Sequence, residues 1–131
     1  MIDCPLCGRT LTEPAAECPA CRGDLRSLAQ IAALADEHFN KAVAAARALR
    51  WDSAAEHLAV TRALSPGDVD AIVLLAKVRH RQRGGQRAEE VRRLLRRAQE
   101  LAPDREDVGS ALEEAARPRH RRRQRRSKRR R

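Results

Sequence analysis

Four cysteines occupy two copies of one short pattern, Cys4-Pro5-Leu6-Cys7 and Cys18-Pro19-Ala20-Cys21, with ten residues between them. The copies continue in register, because Leu11 follows Cys7 by four positions as Leu25 follows Cys21, an internal repeat of period 14. Two residues between cysteines allow a tight turn that aims both sulfurs at one point. Proline stiffens such a turn, and Gly8 and Gly23 can supply the positive-φ conformation that follows it. Four thiolates from two such turns make a tetrahedral set with no open position, which is the ligand arrangement of structural rather than catalytic zinc. Two redox dithiols or two disulfides would use the same residues, but neither a βαβ pattern nor an exported context accompanies them.

The paired knuckles resemble a short four-cysteine zinc ribbon over residues 1–26. The resemblance implies two turns facing each other across a small hairpin, with Cys4, Cys7, Cys18 and Cys21 holding one zinc ion. The first knuckle has Gly8 directly after its second cysteine, whereas the second has Arg22 there and Gly23 one position later. That departure bears on the turn geometry and leaves the ligation intact. A segment this short buries too little apolar area to fold alone, and zinc, at about 10 kcal/mol for small structural sites, supplies the difference. His38, His57, His80 and His120 lie outside the ribbon and read as surface or partly buried helix residues.

From residue 27 to 116 the period becomes helical. Ser27-x-x-Gln30 reads as a capping box ahead of Leu28, Ile31, Leu34/Ala35, Phe39, Ala42, Ala46 and Leu49, a first helix of about 22 residues. Ser53-x-x-Glu56 suggests a second capping box, with Ala55, Leu58, Ala59 and Ala63 running to a stop at Ser65-Pro66-Gly67. Asp68 can cap a third helix carrying Ile72, Leu75, Ala76 and Val78, which ends before Gly84-Gly85. Val91, Leu94, Leu95, Ala98 and Leu101 form a fourth stripe stopped by Pro103. Asp104 opens a fifth helix with Val108, Ala111, Leu112 and Ala115.

Aligning Pro66 with Pro103 sets Leu64 on Leu101, Thr61 on Ala98, Leu58 on Leu95 and Ala54 on Val91, a period of 37. The pattern resembles the second helix of a tetratricopeptide repeat, whose period is 34; the excess fits an enlarged turn at Arg83-Gly84-Gly85-Gln86. The first helix lacks that family's Trp and Leu-Gly, and an unrelated antiparallel bundle accounts for the same stripes. The expected fold is mainly α: a small N-terminal zinc ribbon, an antiparallel repeat-like helical array, and a basic tail. The repeat resemblance implies a concave face for a protein or peptide, lined by Asn40, Lys41 and Ala44 on the first helix and Asp70, Val73 and Lys77 on the third.

The net charge of +10 comes from 28 basic against 18 acidic residues, and residues 117–131 alone carry 11 of the basic ones with no acid. Residues 1–116 are therefore close to neutral, at −1. The tail cannot build a core and is expected to be disordered. Its Arg117, Arg119, Arg121, Arg122, Arg123, Arg125, Arg126, Lys128, Arg129, Arg130 and Arg131 suit a polyanion such as RNA, DNA, anionic lipid or an acidic protein. Within the body, Arg92, Arg93, Arg96 and Arg97 have Glu89 and Glu100 at helical spacing, which suggests a solvated salt-bridge face. Arg79, Arg81, Arg83 and Arg87 have no obvious acid and could continue a basic surface.

One Phe, one Trp and no Tyr argue against a base-stacking sheet. The longest uncharged stretch, Ser27 to Ala35, falls well short of the roughly 20 residues of a membrane span. Asp3 and a cysteine pair stand where an export signal would have a basic start and an apolar run, so a reducing, cytoplasmic setting is expected. No nucleophile–base pair, phosphate-cradling loop or open metal site can be assembled from these residues, which points to a non-enzymatic role. Two readings follow: a zinc-binding adaptor whose helices bind a protein, or a nucleic-acid-binding accessory protein that uses the ribbon and tail.

Overall fold

The computed structural model describes residues 2–82 and 87–116. Two short strands, β1 (Ile2–Asp3) and β2 (Thr10–Leu11), precede five helices: α1 (Arg26–Arg47), α2 (Trp51–Leu64), α3 (Val69–Gln82), α4 (Ala88–Leu101) and α5 (Glu106–Ala116). The expected enlarged turn at Arg83–Gln86 and the basic tail lie outside the described residues. The chain divides into two compact units, Met1–Asp68 and Val69–Arg131. The cysteine segment thus shares a unit with the first helix pair. The reason is local. Leu25 belongs to the small core of Cys4, Leu11 and Cys18 and is also the residue from which α1 starts, and Leu28, on the first turn of α1, packs on that core.

In the first unit, α1 and α2 form an antiparallel pair, as the approaches of His38 to His57 and of Ala35 to Thr61 require. Their interface is built from small residues. Ala35, Ala42 and Ala45 face Ala54, Ala55, Leu58 and Thr61, all buried, so the two backbones can approach closely. The fully buried Thr61 hydroxyl donates to the His57 carbonyl at 3.1 Å, which satisfies it within its own helix. The apolar stripe expected on α1 is only partly used, since Ile31, Leu34 and Leu49 are exposed and the contact is made by alanines. In the second unit α4 packs on both α3 and α5, with Val91, Leu94, Leu95 and Ala98 of the expected stripe buried and Leu101, its last member, exposed.

The caps differ from expectation. Ser27 and Ser53 lie inside α1 and α2, whose first turns have no side-chain cap at Leu25 or Arg50. For α1, Asp24 accepts from the Arg26 backbone N–H at 3.0 Å and occupies the anionic position that a cap would. For α2, the preceding helix ends in a left-handed residue, Leu49 (φ 59°), with the Arg50 N–H bonded back to the Ala45 carbonyl at 2.9 Å. That closure restarts the helix at Trp51, two residues ahead of Ser53. Asp68 does stand immediately before α3.

The 37-residue period extends beyond side chains to helix bounds. Trp51 and Ala88 open their helices, Leu64 and Leu101 close them, and Val69 and Glu106 open the next. The residues after the closures, Ser65 (φ −138°, ψ 80°) and Ala102 (φ −141°, ψ 74°), share a conformation. Asp68 N–H to Ser65 O and Arg105 N–H to Ala102 O are the same 3.2 Å turn. Thr61, Ala98 and Leu58 are fully buried, and Leu95 nearly so.

Candidate metal centre

The two knuckles repeat in every backbone bond that forms them. The Gly8 N–H donates to Cys4 O at 2.8 Å, and the Arg22 N–H to Cys18 O at 2.9 Å. The Cys4 N–H donates to Arg9 O, and the Cys18 N–H to Gly23 O. Ile2 pairs with Leu11 and Asp3 with Thr10 in β1–β2; fourteen residues on, Leu25 N–H donates to Ala16 O and Glu17 bridges Asp24. The repeat therefore folds twice into the same loop. Arg22 takes φ 61° where Gly8 has 73°, so the substitution noted in the sequence leaves the turn unchanged and strains one residue. The left-handed position belongs to Arg22 and not to Gly23. Gly23 answers a different demand: a Cβ there would collide with Leu6 Cδ1 of the opposite knuckle and stand 3.3 Å from Cys21 Sγ.

Four sulfurs converge between these loops. Cys4 and Cys18 are buried, Cys7 and Cys21 exposed, and all four cysteines are free thiols. Their Sγ atoms lie within 4.8 Å of one another, with Cys4–Cys21 and Cys7–Cys18 each at 3.8 Å. A tetrahedron of metal–sulfur bonds of about 2.3 Å has edges of about 3.8 Å, so the donor set fits a single ion. It is far from the ~2.05 Å of a disulfide. All four positions are supplied by protein, and such a site has no place for substrate.

Electrostatics favour filling it. Backbone N–H groups of Cys21 and Ala20 aimed at the Cys18 sulfur hold its thiol down at about 6. The Cys21 sulfur also receives a backbone N–H, from Gly23, but burial and the neighbouring thiols outweigh it and push that thiol up to about 12. Four anionic sulfurs at this spacing repel one another unless a cation replaces the protons. No other group of three or more His, Cys, Asp or Glu side chains among the described residues is placed to hold a metal ion.

The residues expected to line a partner face divide. Asn40, Lys41 and Ala44 are exposed on α1, with Lys41 paired to Glu37; Asp70 and Lys77 are exposed on α3, with Asp70 bound by Arg105 at 2.6 Å. Val73, at 5 % exposure, is buried and cannot line an accessible face, because apolar residues cover most of the circumference of α3. The salt-bridge face of α4 is present with other partners than four-residue spacing suggested. Glu89 binds both Arg92 and Arg96, and Glu100 binds Arg97. Arg96 and then Arg92 hold the Glu89 carboxyl below its usual range. The group thought to lack an acid has one in Glu90, which lies 3.0 Å from Arg79 Nε, off the line of its N–H, and 3.3 Å from Arg87. Arg83 and Arg119 to Arg131 lie outside the described residues.

Sequence reasoning missed one pairing: His38 Nδ1 and His57 Nδ1 stand 3.1 Å apart across α1 and α2. Only the register of the two helices brings them together, and nothing in their spacing announces it.

No family model, curated protein or solved structure matches this chain. No helix among the described residues is long and apolar enough to cross a membrane.

Proposed function

We propose that this chain is a non-enzymatic zinc-binding adaptor, in which a four-cysteine zinc ribbon anchors a tetratricopeptide-like helical body that binds a protein or peptide. The basic tail adds electrostatic attachment to a polyanion. The observation that carries the reading is the convergence of four sulfurs at tetrahedral spacing, which leaves no ligand position for chemistry. Such a centre holds structure and leaves binding to the helices and tail. Support for the repeat comes from the 37-residue recurrence of helix bounds, closing turns and buried positions. Asn40, Ala44 and Lys77 are exposed to meet a partner, and Lys41 and Asp70 can exchange their exposed ion pairs for it.

Affinity capture with the zinc-loaded full chain and with a chain lacking residues 117–131 tests the adaptor. Both should recover the same protein, and a tail peptide should not. Recovery that follows the tail alone would remove the helical body from the account.

The second reading, a nucleic-acid-binding accessory protein, is favoured by one feature, the eleven basic residues of the tail. It requires RNA or DNA affinity that falls roughly as the sixth to tenth power of salt concentration and is lost with the tail.

A further inference from the structure

We propose that His38 and His57 form a second metal site, separate from the cysteines, in which two imidazoles clasp one borderline divalent ion such as Zn2+ or Ni2+ across α1 and α2. Their Nδ1 atoms are 3.1 Å apart, the ring centroids 5.2 Å apart and the planes tilted by 52°. Two nitrogens bound to one ion at about 2.05 Å, with an angle near 100°, stand about 3.1 Å apart. The pair is thus already at the bite of a chelate, and small rotations of each ring turn both lone pairs onto a common point. Without metal, a single proton shared between the two nitrogens makes the same contact a hydrogen bond. Metal and proton therefore compete for one position.

Both rings are half-buried on helices fixed against each other by the alanine interface, so the donors are preorganised. The positions one turn away are Leu34, Ala35, Lys41 and Ala42 on α1 and Ser53, Ala54, Val60 and Thr61 on α2. None is a carboxylate or thiol, so water completes the coordination and affinity is far below that of the cysteine centre. Glu37 neutralises the Lys41 ammonium, the cation nearest in sequence to His38. Imidazole donors suit zinc, nickel and copper rather than calcium or magnesium. An ion held by one residue from each helix binds the paired state and not the separated one, and it tightens the α1–α2 hairpin.

The test uses the full chain with its cysteine centre loaded with zinc, and Ni2+ as the probe. A further equivalent of Ni2+ should be taken up without release of zinc. The imidazole NMR signals of His38 and His57 should broaden before that of His80, and the thermal transition should rise. H38Q and H57Q should each abolish this uptake, while H80Q, at an exposed position on α3, should leave it unchanged. Because loss of a half-buried imidazole can weaken the hairpin, the NMR titration of the unaltered chain is decisive alone. Broadening of His80 or His120 ahead of the pair, or no uptake at all, would leave His38 and His57 as an interhelical hydrogen bond and overturn the site.

Discussion

At the scale of single residues, two positions among the described residues hold left-handed backbone without glycine: Arg22 in the second knuckle and Leu49 at the end of α1. The conformation costs a residue with a Cβ about 1–2 kcal/mol. At Arg22 the opposing gain is an exposed ion pair with Glu17, and such pairs contribute roughly 0–1 kcal/mol. The strain is the larger quantity. R22G is therefore expected to tighten zinc retention by up to about 1 kcal/mol in competition with a chelator, and G8A to loosen it. Weaker retention in R22G would show that the ion pair matters more than the turn. Leu49, 68 % exposed, has little packing to lose, and L49G should raise the thermal midpoint of the helical body.

The cysteine residues were fully legible in sequence, since spacing within a knuckle and repetition between knuckles are both linear facts. The conformation of Arg22 was not, because it depends on the second loop copying the hydrogen bonds of the first. Protons compete with metal for the sulfurs, so the sign of the pH dependence is fixed: metal retention falls as pH falls. Zinc release on acidification, followed with a chromogenic chelator, should be progressive below neutrality.

At the scale of elements, helix existence and the stops before Pro66 and Pro103 followed from apolar period and proline, and the start of α3 followed from Asp68, while the starts of α1 and α2 did not. Ser27 and Ser53 satisfy the capping pattern yet sit within helices, because the tertiary turns ahead of them, one closing the cysteine segment and one closing α1, begin each helix earlier. Which residues of α1 and α2 are buried was not legible; Ile31 and Leu34 have the right period and remain exposed, and the contact falls to alanines. The alanine interface makes a directional prediction. A54L forces an isobutyl group between backbones that are held close, and it should cost about 1–3 kcal/mol in a denaturation curve. L58A and L95A, at equivalent buried positions one period apart, should each cost about 2–5 kcal/mol. If the two differ greatly, or if A54L is neutral, the shared geometry of α2 and α4 would not reflect equivalent packing.

At the scale of the whole molecule, charge is partitioned between a near-neutral body and a tail of eleven basic residues. Arg79, Arg87, Arg92, Arg96, Arg97 and Arg105 pair with Glu89, Glu90, Glu100, Asp70 and Asp107, and residues 1–116 as a whole are near neutral, so the chain's attraction for polyanions is expected to reside in residues 117–131. Exchanging Arg121, Arg122, Arg123, Arg125 and Arg126 for Gln should flatten the salt dependence of binding to single-stranded RNA while leaving the melting of the body unchanged. An equal slope would place the contacts in the body. The central claim is that four cysteines and one metal ion hold the N-terminal segment together as structure. Elemental analysis of the purified full chain beside a variant with all four cysteines changed to serine tests it most directly. About one zinc per chain is expected, with loss of both the zinc and the protease resistance of residues 1–26 in the variant. A chain that carries no tightly bound metal, or a variant whose first 26 residues stay equally protected, would contradict it.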